Sequence, residues 1–222
     1  MKNYESDYGL ELKSLFKNNK AEWEADGISE GALIVEINNI KVNSVVDVQK
    51  AFLEEDYPGL KRNNHNAELI CGDILKYWRK LQLPIIHVRH SSTNPNSKLH
   101  KSKPGFEFND HVKPLDKETV LTKEVNSAFI GTNLEYLLHK SNIKTLVVVG
   151  MTTNHCISST VRMSGNLGFE TYLISDSTAC YNTKSISGKI IDCQEIYENS
   201  LASLNEEFAT VIDSKELLSL LE

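Results

Sequence analysis

Apolar positions along the chain fall into short runs separated by longer stretches of three- and four-residue spacing. Ala32-Leu33-Ile34-Val35-Glu36-Ile37 is a β-branched run that ends in Asn38-Asn39, which is how a buried parallel strand reads. Residues 40–62 are mixed, and they predict a helix over Val45–Glu54 and a turn at Pro58-Gly59. In 64–82, Ala67, Ile70, Ile74, Leu75, Trp78 and Leu81 form one apolar stripe and predict a helix. Pro84 ends it. Ile85–Arg89 reads as a second strand, Thr119–Lys123 as a third, and Thr145–Gly150 as the clearest buried strand of all. Thr171–Ser175 and Ala209–Ile212 follow. Helices are predicted over Phe129–Lys140, from Cys156 to Asn166, over Glu195–Glu206 and over Lys215–Leu221.

Strands alternating with helices imply a parallel sheet covered on both faces, an α/β fold of the Rossmann-like kind. In such sheets ligands bind beyond the carboxyl ends of the strands. Glu36, Arg89, His90, Lys123 and the 150–156 segment all fall there. The polar stretch 91–118, with Pro95, Pro104 and Pro114, is long enough to read as a functional loop. The expected organisation is an N-terminal arm over 1–30 and one domain over 31–222.

Composition narrows the function classes. The 222 residues carry 24 Lys+Arg against 30 Asp+Glu, a formal charge of −6, and no long basic run. Nucleic acid is therefore not an expected partner. No stretch of 18 apolar residues occurs, so no membrane partner is expected either. The N-terminus lacks the apolar segment of a secretory signal. The four cysteines lack CxxC spacing, and they read as reduced thiols of a cytoplasmic protein.

Cys156 carries the sharpest chemistry. It opens a helix directly after a buried strand and a glycine, where free N–H groups would lower a thiol pKa and hold an oxyanion. A packed helix cysteine fits the same position equally well. Glu36 interrupts an apolar strand, which suits either a salt-bridged charge or a working carboxylate. With Lys123, these residues could form a nucleophilic site in which the ammonium favours thiolate and the carboxylate moves the proton.

Several segments resemble the isochorismatase-like cysteine hydrolases. ALIVEINN resembles their first strand, whose pattern is an apolar run followed by Asp, any residue, Gln, Asn. EVNSAFIGTNLEYLL, after Lys123, resembles their second motif, and GMTTNHCISSTVRMSGNLGFETYLISDSTA their third, which carries the nucleophile. HVRHSS with PGFEFNDHVKP resembles their second strand and active-site loop. The resemblance implies a six-stranded parallel sheet in a three-layer α/β/α sandwich and a catalytic triad, here Glu36, Lys123 and Cys156. It also implies a cis peptide at Met151–Thr152, an oxyanion hole from Thr152 and Cys156, and a homo-oligomer, dimer or tetramer. His90, Phe129 and Met151 are the expected substrate contacts.

Two departures stand out: Glu36 replaces the family's Asp, and the Asp-x-His of the metal-binding branch is missing between Asn39 and Ile85. His87 and His90, three apart on a strand, point to opposite faces. The expectation is therefore no metal and no cofactor. The leading function is hydrolysis of a small-molecule C–N amide through a Cys156 thioester. Vinyl-ether hydrolysis of the isochorismatase type and a non-catalytic binding role are the alternatives.

Overall fold

The computed structural model describes residues 36–37, 40–53 and 61–221. The expected N-terminal arm, the start of the apolar run at 31 and the Pro58-Gly59 turn lie outside the described residues.

In chain order the strands are β1 (Glu36–Ile37), β2 (Ile40–Asp47), β3 (Ile85–His90), β4 (Thr119–Lys123), β5 (Thr145–Gly150), β6 (Glu170–Ile174), β7 (Thr183–Lys184), β8 (Ile190–Ile191) and β9 (Thr210–Ile212). The helices are α1 (Ala67–Lys80), α2 (Leu134–Lys140), α3 (Ser158–Asn166), α4 (Cys193–Ala202) and α5 (Ser214–Leu221). Six strands make the main sheet in the order β4-β3-β2-β5-β6-β9. Every pair in that order is parallel. Short β1 lies antiparallel to β2, with Glu36 opposite Lys41 and Ile37 opposite Ile40.

The sequence pattern is corrected at the first parallel strand. The predicted helix over Val45–Glu54 is instead the end of β2, and only Lys50–Leu53 curls into a 3₁₀ turn. Tertiary pairing explains the difference. Between β3 and β5, β2 is covered on both faces, so its run of Val45, Val46 and Val48 alternates between two helix layers. Asn43 and Ser44, fully buried, interrupt the apolar signal by which such a strand is recognised. The helix predicted from Phe129 begins later, at Leu134, after a turn in which the Thr132 hydroxyl accepts from the Leu134 N–H.

Alternation along the strands builds the two cores. On one face Val46, Val147 and Val149 pack against Ile74, Leu75 and Trp78 of α1 and Leu217 of α5. On the other, Val45, Val88, Leu121 and Val148 pack against Leu134 and Leu138 of α2 and Val161 of α3. The result is the expected three-layer α/β/α sandwich. From β2 the chain winds outward to β3 and β4, then returns to the other side of β2 as β5. That reversal leaves a crevice at the carboxyl ends of β2 and β5.

Candidate active site

Three parallel strands end together, with Asp47 closing β2, His90 closing β3 and Lys123 closing β4. Each lies two residues beyond a core residue of the α2/α3 face: Val45, Val88 and Leu121. The two-residue period of a strand therefore turns all three side chains to the same face. Strands β4 and β2 are separated by β3, about 10 Å apart at ordinary strand spacing. A long side chain spans that gap. The Lys123 ammonium meets Asp47 Oδ2 at 2.7 Å, with the lysine side chain fully buried and the aspartate 5% exposed. It also donates to the Asn126 main-chain oxygen at 2.6 Å. The other carboxylate oxygen, Asp47 Oδ1, is buried with no hydrogen-bond partner among the described residues.

Gly150 sits opposite Asp47 across β2 and β5. It holds a φ of +134°, and a Cβ there would lie 2.3 Å from the Asp47 main-chain oxygen. Only glycine fits this close approach. The chain then turns, and the Met151 N–H donates to the same Asp47 oxygen at 2.8 Å. The Met151–Thr152 peptide is cis. A π-helical turn over Thr153–Ile157 leads into α3 and carries Cys156. The Thr153 N–H donates to the Ala179 oxygen, and the Thr153 and Thr178 hydroxyls bond at 2.9 Å, fastening the turn to the strand end of β6.

Cys156 borders a cavity of about 270 Å³ lined also by Phe52, His90, Ser92, Ser97, Leu99, Asn126, Thr152 and His155. The sequence predicted a thiol of lowered pKa, but the site does the reverse. Burial raises the Cys156 thiol and the Asp47 charge raises it further. The Lys123 ammonium, within hydrogen-bonding reach, pulls it only partly back, to about 11. For Lys123, burial opposes the charge, yet Asp47 and Cys156 outweigh it and hold the ammonium above its ordinary range. At neutral pH the resting site is thus a thiol beside an ion pair.

The predicted site residues divide. Lys123, Cys156, Thr152 and His90 come together at the cavity. Glu36 does not. Its backbone pairs with Lys41, six residues back along β2 from Asp47, so it lies about 20 Å away at the opposite end of the strand. Asp47 occupies the place expected of Glu36. Phe129 is a core residue, stacked on Phe169 with centroids 5.8 Å apart. Met151 is fully buried among Ala51, Phe52, Leu99 and Ala179, behind the cavity wall.

Asp47, Gln49 and Asn126 were missed by the sequence reading. Asp47 and Gln49 had a signal, because Val45-Val46-Asp47-Val48-Gln49 fits the pattern of apolar strand, Asp, any residue, Gln better than ALIVEINN does. The Gln49 carboxamide accepts from the His90 N–H at 2.7 Å and donates to the His90 and Phe106 oxygens. It thereby ties β2, β3 and the 91–118 loop at the cavity edge. That loop supplies Ser92, Ser97 and Leu99, as its length suggested.

His87 and His90 do face opposite ways. His87 is buried on the α1 side and donates to Glu118 at 2.7 Å, while His90 borders the cavity. Burial, and secondly Lys123, lowers the His90 pKa. Among the described residues no three His, Cys, Asp or Glu side chains cluster as metal ligands, and no helix is long and apolar enough to cross a membrane.

Comparison with known proteins gives the geometry a lineage. The Isochorismatase domain model matches residues 44–216, from within β2 to the start of α5. The match takes in Asp47, Lys123 and Cys156 and begins beyond Glu36. The isochorismatase family protein YrdC of Bacillus subtilis is 46% identical over 175 residues, 79% of this chain and 92% of that protein. The crystal structure of a hydrolase of the isochorismatase family from Chromobacterium violaceum superposes with a TM-score of 0.78 at 37% identity, covering 82% of this chain and 93% of that one. A shorter stretch of 63 residues, 28% of this chain and 24% of the other, is 41% identical to N-carbamoylsarcosine amidase from Arthrobacter. A domain match that runs through all six parallel strands, with relatives this similar over most of their length, makes this chain a member of the isochorismatase-like hydrolase family.

Proposed function

We propose that this hydrolase cleaves a C–N amide bond of a small molecule through a thioester on Cys156, with Asp47 and Lys123 as its partners. The observation that carries the reading is the buried Asp47–Lys123 pair beneath Cys156, with one carboxylate oxygen left unpartnered. Asp47 Oδ1 takes the thiol proton as sulfur attacks the amide carbon. Lys123 stays protonated, orients the carboxylate and faces the developing thiolate. The main-chain N–H groups of Thr152 and Cys156, at the cavity edge, receive the oxyanion. Asp47 then gives its proton to the departing nitrogen, and the amine leaves. A water that loses its proton to Asp47 cleaves the thioester, releasing the acid and restoring the thiol. The named activity of the amidase relative supports C–N chemistry, and a cavity of about 270 Å³ suits a small substrate.

The test is ammonia or amine release from a panel of small amides and ureides. Cys156→Ala should abolish it. Asp47→Asn should lower kcat by about 10²–10⁴-fold, the usual worth of general acid–base help. Glu36→Gln should leave the rate within about twofold, a change too small for a lost acid or base. Hydrolysis retained by Cys156→Ala, or lost in Glu36→Gln and not in Asp47→Asn, would refute the assignment.

A further inference from the structure

Asn126 touches both the proposed nucleophile and its lysine partner. It lies in the loop after β4, three residues beyond Lys123, and the next residues anchor that loop. The Ala128 N–H donates to the Thr160 hydroxyl of α3 at 3.0 Å, and Ala128 and Phe129 are buried in the α2/α3 core. Asn126 is thereby held at the cavity edge. Its main-chain oxygen accepts from the Lys123 ammonium at 2.6 Å. Its side-chain Oδ1 lies 3.8 Å from Cys156 Sγ, in line to accept the S–H.

We propose that Asn126 is a positioning residue of this site: its side-chain oxygen holds the resting Cys156 S–H and sets the direction of the sulfur, while its main-chain oxygen tethers Lys123. The proposal rests on Cys156 as the nucleophile. A hydrogen bond made by the protonated form of a group disfavours its ionised form. The bond therefore keeps the proton on sulfur until substrate enters and Asp47 takes it. The burial and Asp47 charge that raise the Cys156 thiol act in the same direction. Substituting the side chain keeps the main-chain tether, so the two contacts can be tested apart.

The experiment follows alkylation of the full-length protein by iodoacetamide against pH, read by mass spectrometry at Cys156. The titratable groups around the sulfur are Asp47 of β2, His90 of β3, Lys123 of β4 and His155 of its own turn, and all remain in every variant. Asn126→Ala removes the acceptor and should speed alkylation at pH 8 about threefold, with the profile moved to lower pH. Asn126→Asp sets an anion beside the sulfur and should slow it about tenfold. Asn126 is exposed, so both variants should melt with the parent. Profiles unchanged in both variants would overturn the proposal, and so would slower alkylation in Asn126→Ala, because the amide would then be donating to sulfur. Alkylation reads the thiol and not turnover. A parent enzyme inactive on every amide would therefore sink the proposed reaction while the hold on sulfur remained measurable.

Discussion

Removing one charge of the Asp47–Lys123 pair should cost far more than removing both. Neither side chain reaches water to any extent, at 0% and 5% exposure. Asp47→Asn keeps the shape and leaves a buried ammonium without its counter-ion. Lys123→Met leaves a buried carboxylate in the same position. Breaking a buried pair on one side costs about 3–5 kcal/mol, whereas an exposed pair is worth about 1 kcal/mol or less. In a domain of this size each kcal/mol moves Tm by roughly 2–4 °C, so each single variant should melt about 6–20 °C lower. The double variant, with no buried charge, should recover more than half of the summed loss.

Urea unfolding of all four proteins closes the cycle, and pH gives a second reading. In the parent the Lys123 pKa is raised. Its contribution is therefore complete below the unfolded lysine pKa and is lost only as pH rises through the higher folded value. In Asp47→Asn, burial acts on Lys123 without the opposing carboxylate and lowers its pKa. The variant's deficit should then narrow between pH 7 and 10 as the lysine sheds its proton. Single variants that lose less than about 1 kcal/mol, or strict additivity in the double, would show that the pair is solvated and would refute the reasoning.

Three further outcomes are expected. All four cysteines are buried, but of them Cys156 alone lines the cavity, with 6% exposure against 0–1% for Cys71, Cys180 and Cys193, so intact-mass analysis should find one iodoacetamide adduct, absent in Cys156→Ala. Its rate should climb about tenfold per pH unit from 7 to 9, because the thiol pKa near 11 keeps the thiolate scarce throughout. On the α1 face, burial would raise Glu118, but Arg79, the Leu115 N–H and His87 hold it at about 2. Its contribution is present above about pH 4.5 and lost as pH falls towards 2, so Glu118→Gln should flatten the loss of urea midpoint between those pH values, and an unchanged acid limb would contradict this. Gly150→Ala forces a Cβ to 2.3 Å from the Asp47 main-chain oxygen. It should cost about 2–4 kcal/mol from overpacking and positive-φ strain together, and a Tm within 2 °C of the parent would refute the close approach.

What the sequence made legible follows from where its signals are local. Thr145–Gly150 is buried along its whole length and has no polar residue after Thr145, so periodicity alone finds it. The stripe of Ile70, Ile74 and Trp78 finds α1 because a helix with one wet face keeps its period. Strand β2 is the opposite case. It is one of the two central strands, yet it buries Asn43, Ser44 and Asp47 beside its valines. Polarity there serves the strand's end and its interior, and a single-sequence pattern cannot distinguish that from a solvated segment.

The difference in position between Glu36 and Asp47 has the same origin. ALIVEINN is a cleaner apolar run than NSVVDVQ, so the pattern along the chain points to Glu36. Topology decides against it. A strand residue can face both Lys123 and Cys156 only from the carboxyl end of a strand between β4 and β5, and on the α2/α3 face. Strands β2 and β3 lie between them. At the end of β3 stands His90, tied through its main chain to Gln49. At the end of β2 stands Asp47, held from the other side by Gly150 and the Met151 N–H. Strand β1 runs antiparallel at the far end of β2, so no choice of side chain at 36 brings a carboxylate to the thiol. Asp47, eleven residues after Glu36, is instead delivered to Lys123 by the carboxyl end of its own strand.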